Sequence, residues 1–459
     1  MSSKYKEKDL LVNMIKEGIQ KFLLRKYKFQ KDYLEIAGIS QKNALGRFIE
    51  QKRNSLFLHA YKHNKYYHQV FKEIDLIQDG KVDPSRIAGI PILTKDIIRK
   101  NQHELISDDY HTRKWFFNTS GGSTGEPIQL MQDDVYLKWG NATNYYYYKN
   151  ILGIEEPTAK KVILWGSERD LFKGSIGFKA KIQNWLSNTV FLNSFRMTER
   201  DIERYIYVIN SFKPEIVRGY AGSLYELCRY AEKNNLSLYS PKVVVSAAET
   251  LSNNMRETIE SNFGTRVYDF YGSREVSNLA GECKEGLMHP FMFWNYQEVL
   301  DQHNQPVKEG EEGRVVVTNL FNYSMPLIRY EIGDMAVLGP DTCSCGLILP
   351  TFRKVSGRIV GHFIQSNGTT VPAEYFIHLI GVVCNKGEID KFQVIQEDYD
   401  KIRILAVVKE ELPDQYRCDI DAKIRLVMGQ ECKIKWEFVD DIPKTQNGKY
   451  LYTKSMVWR

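Results

Sequence analysis

The sequence is poor in the features that mark secreted, membrane-spanning or disulfide-stabilised proteins. It has only 7 cysteines in 459 residues, an odd number that does not suggest a disulfide framework. No stretch reaches the ~18 continuous apolar residues that a membrane span requires. The charged start, Met1 to Asp9, is not followed by an apolar run with a small-residue cleavage site, so we predict no signal peptide. We therefore expect a cytoplasmic protein with no transmembrane segment.

A strong charge of one sign is also absent. The chain has 63 Lys and Arg residues against 57 Asp and Glu residues, a formal net charge of +6. This mild excess suits anionic small molecules, and without a long basic block we expect no nucleic-acid partner. The content of 43% hydrophobic and 26% charged residues is typical of a globular protein, and the length favours two or three domains.

The first residues carry a helical pattern. Apolar residues between Leu10 and Leu24 recur at helical spacing and are interrupted by Lys16, Glu17 and Lys21. The pattern predicts an amphipathic helix that packs on its own domain. Docking at a membrane surface, helped by the basic residues that follow, is the alternative.

The rest of the chain changes in pattern along its length. Residues 1 to about 110 are polar and helical in pattern. From about 160 to 275 short β-rich runs alternate with helical segments, which predicts parallel strands joined by crossover helices. After residue 358 short strands flank a helical pattern, which predicts a small α+β domain. The expected fold class is α/β: a large domain with mixed or parallel sheets and helices, then a small α+β C-terminal domain. The predicted strands are Lys161–Trp165, Glu215–Gly219, Lys242–Ser246, Arg314–Thr318, Lys391–Ile395, Ile402–Val408 and Lys433–Phe438, and the predicted helices are Thr198–Phe212, Ser223–Asn234 and Asp414–Met428.

A loop rich in glycine and hydroxyl residues spans Thr119 to Pro127. Glycines let the backbone approach an anion closely, and hydroxyls add hydrogen-bond donors. No Gly-Lys-Ser/Thr closes the loop, which excludes the usual nucleotide P-loop. Taken alone, the loop predicts either a phosphate site or a flexible surface turn. The candidate phosphate-binding residues of the loop are Ser120, Gly121, Gly122, Ser123, Thr124 and Gly125.

Four further motifs follow the loop in order. They are Tyr271-Gly272-Ser273-Arg274-Glu275 (the Tyr271 motif), IRYEIGD at 328–334, Gly357-Arg358, and PKTQNGK at 443–449. In order and spacing, the loop and these motifs resemble the adenylate-forming superfamily of acyl-CoA synthetases. Within it the chain resembles the phenylacetate–CoA ligase family, above all its capsular-polysaccharide-biosynthesis (CapK-like) branch. The branch features are the double glycine of the loop, Arg218-Gly219-Tyr220 and MPLIRY at 325–330.

The resemblance implies a domain organisation and a nucleotide site. Residues 85–357 are expected to form the adenylation domain, which binds ATP and the acid substrate. Residues 358–459 are expected to form a mobile C-terminal lid domain with the catalytic lysine, and residues 1–84 a helical N-terminal extension of the large domain. Nucleotide contacts are expected from the loop residues 120–125 and from Ala248, Glu249, Tyr271, Gly272, Ser273, Asp334 and Arg358.

Five side chains have roles that the resemblance implies and that their chemistry suits. Tyr271 is expected to stack on adenine through its π face. Asp334 is expected to accept hydrogen bonds from both ribose hydroxyls, and Arg358 to reach the ribose or the phosphates. Glu275 is expected to be catalytic as a hard oxygen ligand of Mg²⁺ that bridges phosphates. Lys449 is the expected adenylation catalyst, because a flexible ammonium neutralises the charge that crowds at the α-phosphate.

Two residues depart from the family pattern. Glu126 stands where many relatives carry a lysine beside the phosphate loop, which removes one phosphate-binding charge. Gly361 stands where the hinge between the domains usually has an aspartate. Because glycine loosens the backbone, we expect the rotation between the adenylation and acyl-transfer poses to be retained.

A second set of residues has the chemistry of metal ligands. Cys283 and His289 follow the Tyr271 motif, and Cys343 and Cys345 follow the IRYEIGD motif at C-x-C spacing. Four such ligands suit a tetrahedral, structural Zn²⁺, and the resemblance supports one because several relatives carry cysteines here. The alternative is that these are buried thiols and a hydrogen-bonded histidine.

The predicted function is AMP-forming activation of a carboxylic acid by ATP and Mg²⁺, followed by transfer of the acyl group to the thiol of CoA. One alternative is transfer of an acyl or aminoacyl group to an amine or hydroxyl in surface-polysaccharide biosynthesis. Nucleotide transfer to a cofactor, and a non-catalytic binding protein of the same fold, are the others. The sequence leaves open the acid, the acceptor and the oligomeric state, for which a dimer is one candidate.

Overall fold

The computed structural model describes most of the chain, namely residues 16–20, 29–119, 128–165, 182, 184–194, 197, 199–358, 363–366, 370–371, 375–376, 379–380, 388–408, 410–442 and 453–457. The chain divides into two compact units, with residues 1–40, 138–247 and 251–269 in the first and residues 41–137, 248–250 and 270–459 in the second. Within the described ranges, no helix combines the length and the apolar character that crossing a membrane requires.

Helices lie mainly in the first half of the chain. In chain order they are α1 (Phe29–Ala37), α2 (Lys42–His63), α3 (Lys65–Glu73), α4 (Lys95–Lys100), α5 (Asp134–Tyr146), α6 (Glu199–Phe212), α7 (Ala221–Lys233), α8 (Asn253–Phe263) and α9 (Asp414–Met428). Residues 16–20 are also helical, Pro84–Gly89 and Tyr110–Thr112 form 3-10 turns, and Tyr147–Ile151 forms a π-helical turn.

Strands lie mainly in the second half. They are β1 (Ile77–Gln78), β2 (Lys81–Val82), β3 (Trp115–Thr119), β4 (Gln129–Asp133), β5 (Lys161–Trp165), β6 (Thr189–Asn193), β7 (Ile216–Tyr220), β8 (Val243–Ala247), β9 (Val267–Ser273), β10 (Ser277–Glu282), β11 (Met288–Pro290), β12 (Asn295–Leu300), β13 (Glu312–Asn319), β14 (Tyr330–Leu338), β15 (Phe352–Arg358), β16 (Phe363–Ile364), β17 (Thr370–Val371), β18 (Ile389–Asp398), β19 (Lys401–Val408), β20 (Lys433–Phe438) and β21 (Thr453–Ser455).

The first unit contains parallel strands in the order β8-β7-β5-β6. The strand β8 is buried at every position, as expected of a parallel strand that is covered on both faces. The helices α6 and α7 follow β6 and β7, which is the predicted alternation. The predicted parallel strands and both predicted helices are confirmed, with small shifts at their ends. The strand β6 was not predicted, because its apolar run is short.

The second unit contains antiparallel strands in the order β12-β13-β14-β15-β11-β10-β9. Their register shifts within the pairs β9–β10, β13–β14 and β14–β15, and such bulges re-aim side chains. Buried residues of α2 and α3, among them Phe57 and Phe71, belong to one core with Val315 and Tyr330 of this sheet. Parallel and antiparallel strands are both present, so the predicted α/β class with mixed sheets is confirmed.

The predicted small α+β C-terminal domain is also confirmed. Its strands run in the order β20-β19-β18-β21, with β18 antiparallel to β19 and the outer pairs parallel. The helix α9 buries Ile420, Ile424 and Met428, which recur every four residues and therefore share one helix face. The predicted domain boundaries at residues 84 and 357 stay predictions.

Candidate active site

The predicted phosphate loop connects the two strands of a hairpin. The strands β3 and β4 pair from Trp115↔Asp133 to Thr119↔Gln129, so the two ends of the loop are held side by side. The loop itself, Ser120, Gly121, Gly122, Ser123, Thr124, Gly125, Glu126 and Pro127, lies outside the described residues. Its phosphate contacts therefore stay predictions.

Two side-chain amides tie this hairpin to the Tyr271 motif. Asn118 Nδ2 donates to the carbonyl oxygen of Arg274 at 3.0 Å. Gln132 Nε2 donates to the carbonyl oxygens of Arg274 and Glu275, both at 3.1 Å. Gln132 is buried, so these bonds are shielded from water. The strand that enters the phosphate loop is thus fixed beside the Tyr271 motif.

The turn that follows β9 depends on two residues of the motif. A Cβ atom on Gly272 would lie 2.8 Å from the carbonyl oxygen of Ser277, too close for any residue with a side chain. Ser273 Oγ accepts a hydrogen bond from Val276 N at 3.2 Å and so closes the turn. Gly272 and Ser273 therefore shape the backbone here, and their nucleotide contacts stay predictions.

The structure brings Tyr271 and Asp334 together. The Tyr271 hydroxyl donates a hydrogen bond to Asp334 Oδ2 at 2.6 Å, a short distance typical of a hydroxyl on a carboxylate. Asp334 is also the register partner of Arg358 between β14 and β15. Residues of three separate motifs therefore meet in the second unit, and both Tyr271 and Asp334 are half-buried.

Glu275 lies in the interior of the second unit with a cation beside it. Its side chain is 2% exposed, and Lys95 Nζ lies 3.3 Å from Oε1. Lys95 is the first residue of α4, and Thr94 caps that helix by accepting a hydrogen bond from Ile97 N. The cap fixes the backbone from which Lys95 extends.

The arginine of the IRYEIGD motif holds the segment that leads into α4. Arg329 is buried, forms an ion pair with Glu298 at 3.2 Å, and donates through Nη1 to the carbonyl oxygens of Ala88 (2.7 Å) and Ile90 (2.8 Å). The amide of Leu93 donates to the carbonyl oxygen of Arg329 at 2.9 Å. Arg329 has a φ of +49°, which is uncommon for a residue with a Cβ atom and is tolerated where many contacts hold it. Arg329 thus positions the start of α4.

The remaining residues predicted to contact the nucleotide are Ala248 and Glu249, and Lys449 is the predicted catalyst. Ala248 follows β8 and has a φ of +67°, a left-handed conformation that is rare for alanine and concentrates at functional sites. Glu249, next to it, is half-buried. Lys449 and Gly361 lie outside the described residues, so the catalytic role of Lys449 stays a prediction.

The donor chemistry at Glu275 fits Mg²⁺. Its Oε1 atom is buried and, apart from the ion pair with Lys95, has no hydrogen-bond partner within the described part of the chain. Mg²⁺ takes hard oxygen ligands and is usually held by one or two carboxylates together with phosphate oxygens and water. Lys95 adds a positive charge at the same place, where it would also attract phosphate oxygens.

The four predicted zinc ligands lie together in the second unit. One ligand atom from each of Cys283, His289, Cys343 and Cys345 lies within 4.8 Å of every other. Cys283 Sγ is 3.8 Å from Cys343 Sγ, and Cys345 Sγ is 3.3 Å from His289 Nε2. Zn–S bonds of about 2.3 Å at tetrahedral angles place two sulfurs about 3.8 Å apart. The cluster therefore has the dimensions of a tetrahedral zinc site.

Hydrogen bonds around the cluster prepare it for a metal. His289 Nδ1 lies 3.2 Å from the carbonyl oxygen of Leu349, which leaves Nε2 to face the cysteines. Burial raises the pKa of the Cys283 and Cys345 thiols, the latter to about 12, and lowers the pKa of His289. Without a metal these two thiols are thus neutral at pH 7, and a bound cation would favour their thiolates.

The first unit carries an aromatic pair at the carboxyl end of its parallel strands. Trp165 and Tyr220, the last residues of β5 and β7, stack with ring centroids 4.5 Å apart, and the Arg218 guanidinium lies 5.9 Å from the Trp165 ring. Ligands of α/β sheets bind at the carboxyl ends of the strands. The pair is therefore a candidate wall for an acid substrate.

Three residues of the site were missed in the sequence. Asn118 and Gln132 lie in the two strands that flank the phosphate loop, and this position is a usable signal. Lys95 has no such signal, because one lysine at the start of a short helix resembles any surface charge.

Comparison with known proteins covers nearly the whole chain. Residues 363–456 match the family model described as the CapK C-terminal domain. The chain is 25% identical to Protein CapK of Staphylococcus aureus, over 97% of each chain. It is 24% identical to the phenylacetate–coenzyme A ligase of Escherichia coli (strain K12), over 86% of this chain and 89% of the relative. The predicted resemblance to the adenylate-forming superfamily is confirmed.

A solved structure supports the fold. It is that of a 2-hydroxyisobutyryl-CoA ligase in the postadenylation state with 2-HIB-AMP, and it matches with a TM-score of 0.58 and 18% identity over 91% of this chain and 90% of that one. The curated relatives also confirm the predicted enzyme class, an AMP-forming ligase-like enzyme.

Proposed function

We propose that this protein activates a carboxylic acid with ATP, releases pyrophosphate and forms an acyl-adenylate. The observation that carries this proposal is the 2.6 Å hydrogen bond between Tyr271 and Asp334, which joins two motifs that are far apart in the sequence. Asn118 and Gln132 support it, because they fix the stem of the phosphate loop beside the same motif. The proposed setting is the cytoplasm, with ATP and an acid as partners and no nucleic acid.

In the proposed first step, an oxygen of the substrate carboxylate attacks the α-phosphorus. The bond from that phosphorus to the oxygen that bridges it to the β-phosphate breaks, and pyrophosphate leaves. Lys449 is proposed to neutralise the charge that crowds between the carboxylate and the α-phosphate. Mg²⁺ bound at Glu275 would offset charge on the phosphate oxygens. Asp334 and Tyr271 are proposed to hold the ribose and the adenine.

Lys95 is a candidate for the positive charge that the phosphate loop lacks at Glu126. The phosphate loop carries an acid where relatives place a lysine, so it lacks a local cation. Lys95 Nζ lies 3.3 Å from Glu275, whose carbonyl oxygen binds the loop stem through Gln132. We therefore assign to Lys95 the phosphate-binding charge that the loop lacks.

In the proposed second step, the CoA sulfur attacks the acyl carbon of the adenylate. The bond from this carbon to the phosphate oxygen breaks, AMP leaves, and the thiol proton passes to solvent. The C-terminal domain, proposed to begin at residue 358, is expected to rotate between the two steps and to withdraw Lys449. The Cys283 cluster is proposed to hold a structural Zn²⁺, since four protein ligands leave no position for substrate.

Transfer to an amine or hydroxyl in surface-polysaccharide assembly is the second candidate. The match of residues 363–456 to the CapK C-terminal domain favours it, because the C-terminal domain is the one expected to change pose for acyl transfer. A non-catalytic protein of the same fold, and nucleotide transfer to a cofactor, are less well supported by the site.

Exchange of pyrophosphate into ATP tests the first step. Aryl, fatty and amino acids are tried singly with the purified full-length protein, and at least one is expected to support exchange. Lys449→Ala is expected to reduce the exchange rate by at least about a hundredfold, the loss typical of an electrostatic catalyst. Lys454→Ala, which removes an exposed lysine on β21, is the matched control and should retain the rate.

The acceptor is tested with the acid that supports exchange. A thioester formed only with CoA supports the ligase hypothesis, whereas an amide or ester formed without CoA supports the second candidate. An isolable product that retains AMP would indicate nucleotide transfer. Full exchange activity in Lys449→Ala would contradict the mechanism above.

A further inference from the structure

The sheet of the second unit contains two ribbons that carry the candidate nucleotide residues. The first ribbon is formed by β9, β10 and β11 and carries the Tyr271 motif at the turn between β9 and β10. The second ribbon is the β14–β15 pair and carries Asp334 and Arg358. The ribbons must stay aligned with each other for Tyr271 to reach Asp334.

Backbone pairing holds each ribbon together but joins the two ribbons weakly. In the described residues, five register pairs connect β14 with β15 and four connect β9 with β10. A single register pair, Met288↔Phe352, connects β11 with β15. One backbone pair contributes few hydrogen bonds, so the register here depends on side chains, among them the buried Met288 and Phe352.

The ligands of the Cys/His cluster (Cys283, His289, Cys343 and Cys345) are divided between the two ribbons. Cys283 directly follows β10 and His289 lies in β11, whereas Cys343 and Cys345 lie in the connection from β14 to β15. Both short contacts run between ribbons: Cys283 Sγ to Cys343 Sγ at 3.8 Å and His289 Nε2 to Cys345 Sγ at 3.3 Å. An ion bound by all four side chains would therefore cross-link the ribbons twice.

Backbone amides also point at two of the sulfurs. The amide of Glu285 lies 3.4 Å from Cys283 Sγ and the amide of Cys345 lies 3.5 Å from Cys343 Sγ. Hydrogen bonds of this kind favour the thiolate, the form in which cysteine binds metals. One such amide comes from each ribbon, so the thiolate form is favoured on both sides of the cluster.

We propose that a zinc ion held by Cys283, His289, Cys343 and Cys345 sets the register of the two ribbons and thereby positions Tyr271 against Asp334. A slip by one residue moves a strand by about 3.3 Å, which would break their 2.6 Å hydrogen bond. The metal is thus a positioning element for the nucleotide site. The nucleotide part of this inference rests on the proposed function, whereas the register part does not.

Metal content is the first test. The full-length protein is expected to contain about one zinc ion per chain, and Co²⁺ in its place should give the absorption of a tetrahedral thiolate site. Cys343→Ser should lose the metal. Cys418→Ser is the matched control, because Cys418 is an exposed free cysteine outside the cluster, and it should keep the metal. Absence of stoichiometric zinc and of the Co²⁺ spectrum would overturn the proposal.

Removal of the metal tests the register. The protein is stripped with a chelator, and hydrogen exchange is compared before stripping, after it, and after zinc is restored. Amides of β11 and β15 should lose protection reversibly, whereas those of β18 and β19 in the C-terminal sheet should not change. Unchanged exchange in β11 and β15, or unfolding of the whole chain, would overturn a role confined to the register.

The affinity for AMP tests whether the strand register positions the nucleotide site. The Kd for AMP should rise about tenfold on stripping, the loss expected when one hydrogen bond to a charged group no longer forms, and should recover with zinc. Equal affinity in both states would overturn the positioning role and leave the proposed function intact. Absence of AMP binding in both states would instead count against the proposed function, while metal content and hydrogen exchange would still decide the register.

Discussion

Replacing Lys95 by alanine isolates the ion pair between α4 and the Tyr271 motif. Lys95 Nζ lies 3.3 Å from Glu275 Oε1, with the Lys95 side chain 19% exposed and that of Glu275 2% exposed. At this distance and an effective dielectric constant of about 20, the gross attraction is about 5 kcal/mol. Removing one partner of a fully buried pair costs about 3–5 kcal/mol. Because Lys95 keeps some contact with water, we expect a loss of about 2–3 kcal/mol.

Urea denaturation without nucleotide measures this loss as a change in the free energy of unfolding. Lys100→Ala is the control, because Lys100 lies in the same helix and is exposed, and it should change stability by less than about 0.5 kcal/mol. Glu275→Gln completes a double-mutant cycle with Lys95→Ala. The coupling energy should be at least about 1.5 kcal/mol, as expected for groups in contact.

The same variant tests the role of Lys95 toward phosphate. If Lys95 supplies the charge that the loop lacks, Lys95→Ala should raise the KM for ATP in the exchange assay and leave the KM for the acid unchanged. A coupling energy near zero would refute the reasoning about the ion pair. An unchanged KM for ATP would refute the phosphate role alone.

Two further perturbations follow from buried contacts of the second unit. Gln132→Leu removes two hydrogen bonds to backbone carbonyls and should lower the free energy of unfolding, measured with urea, by about 2 kcal/mol. Gln129→Leu is the control, because Gln129 is exposed on the same strand, and it should have little effect. Burial lowers the pKa of His59, although its hydrogen bond with Asp109 opposes the shift. The unfolded chain therefore binds the proton better, so stability should fall as the pH drops below about 6.5, and His59→Gln should abolish that part of the pH dependence. An equal pH dependence in both proteins would contradict this assignment.

Much of the fold follows from local patterns. The run Lys161–Trp165 and the helix Asp414–Met428 were predicted with the bounds that the structure has, because a continuous apolar run and a helical periodicity are local signals. The antiparallel strands β9 to β12, β14 and β15 were not predicted. They are rich in polar residues and in bulges, so their alternation is broken, and their pairing connects distant parts of the chain.

The candidate site likewise contains residues that the sequence predicted and residues that it did not. Tyr271, Glu275 and Asp334 were predicted because they lie in short motifs whose order is visible in the sequence. Lys95 and Gln132 were not, because their importance depends on which distant residues they contact. Arg329 belongs to a visible motif, yet its contacts with Glu298 and the carbonyls of residues 88 and 90 give it a structural task that no motif states.

The sequence by itself determined the class of chemistry. Motif order, the Gly/Ser/Thr loop and the spacing of cysteines and histidine are properties of the linear chain, and they specify which donors and charges are available. Only the tertiary structure decided which of them meet. The Tyr271–Asp334 hydrogen bond, the Lys95–Glu275 ion pair and the cysteine cluster join segments far apart in the sequence. Such contacts depend on strand register and core packing, which arise from interactions summed over the whole unit and not from any local pattern.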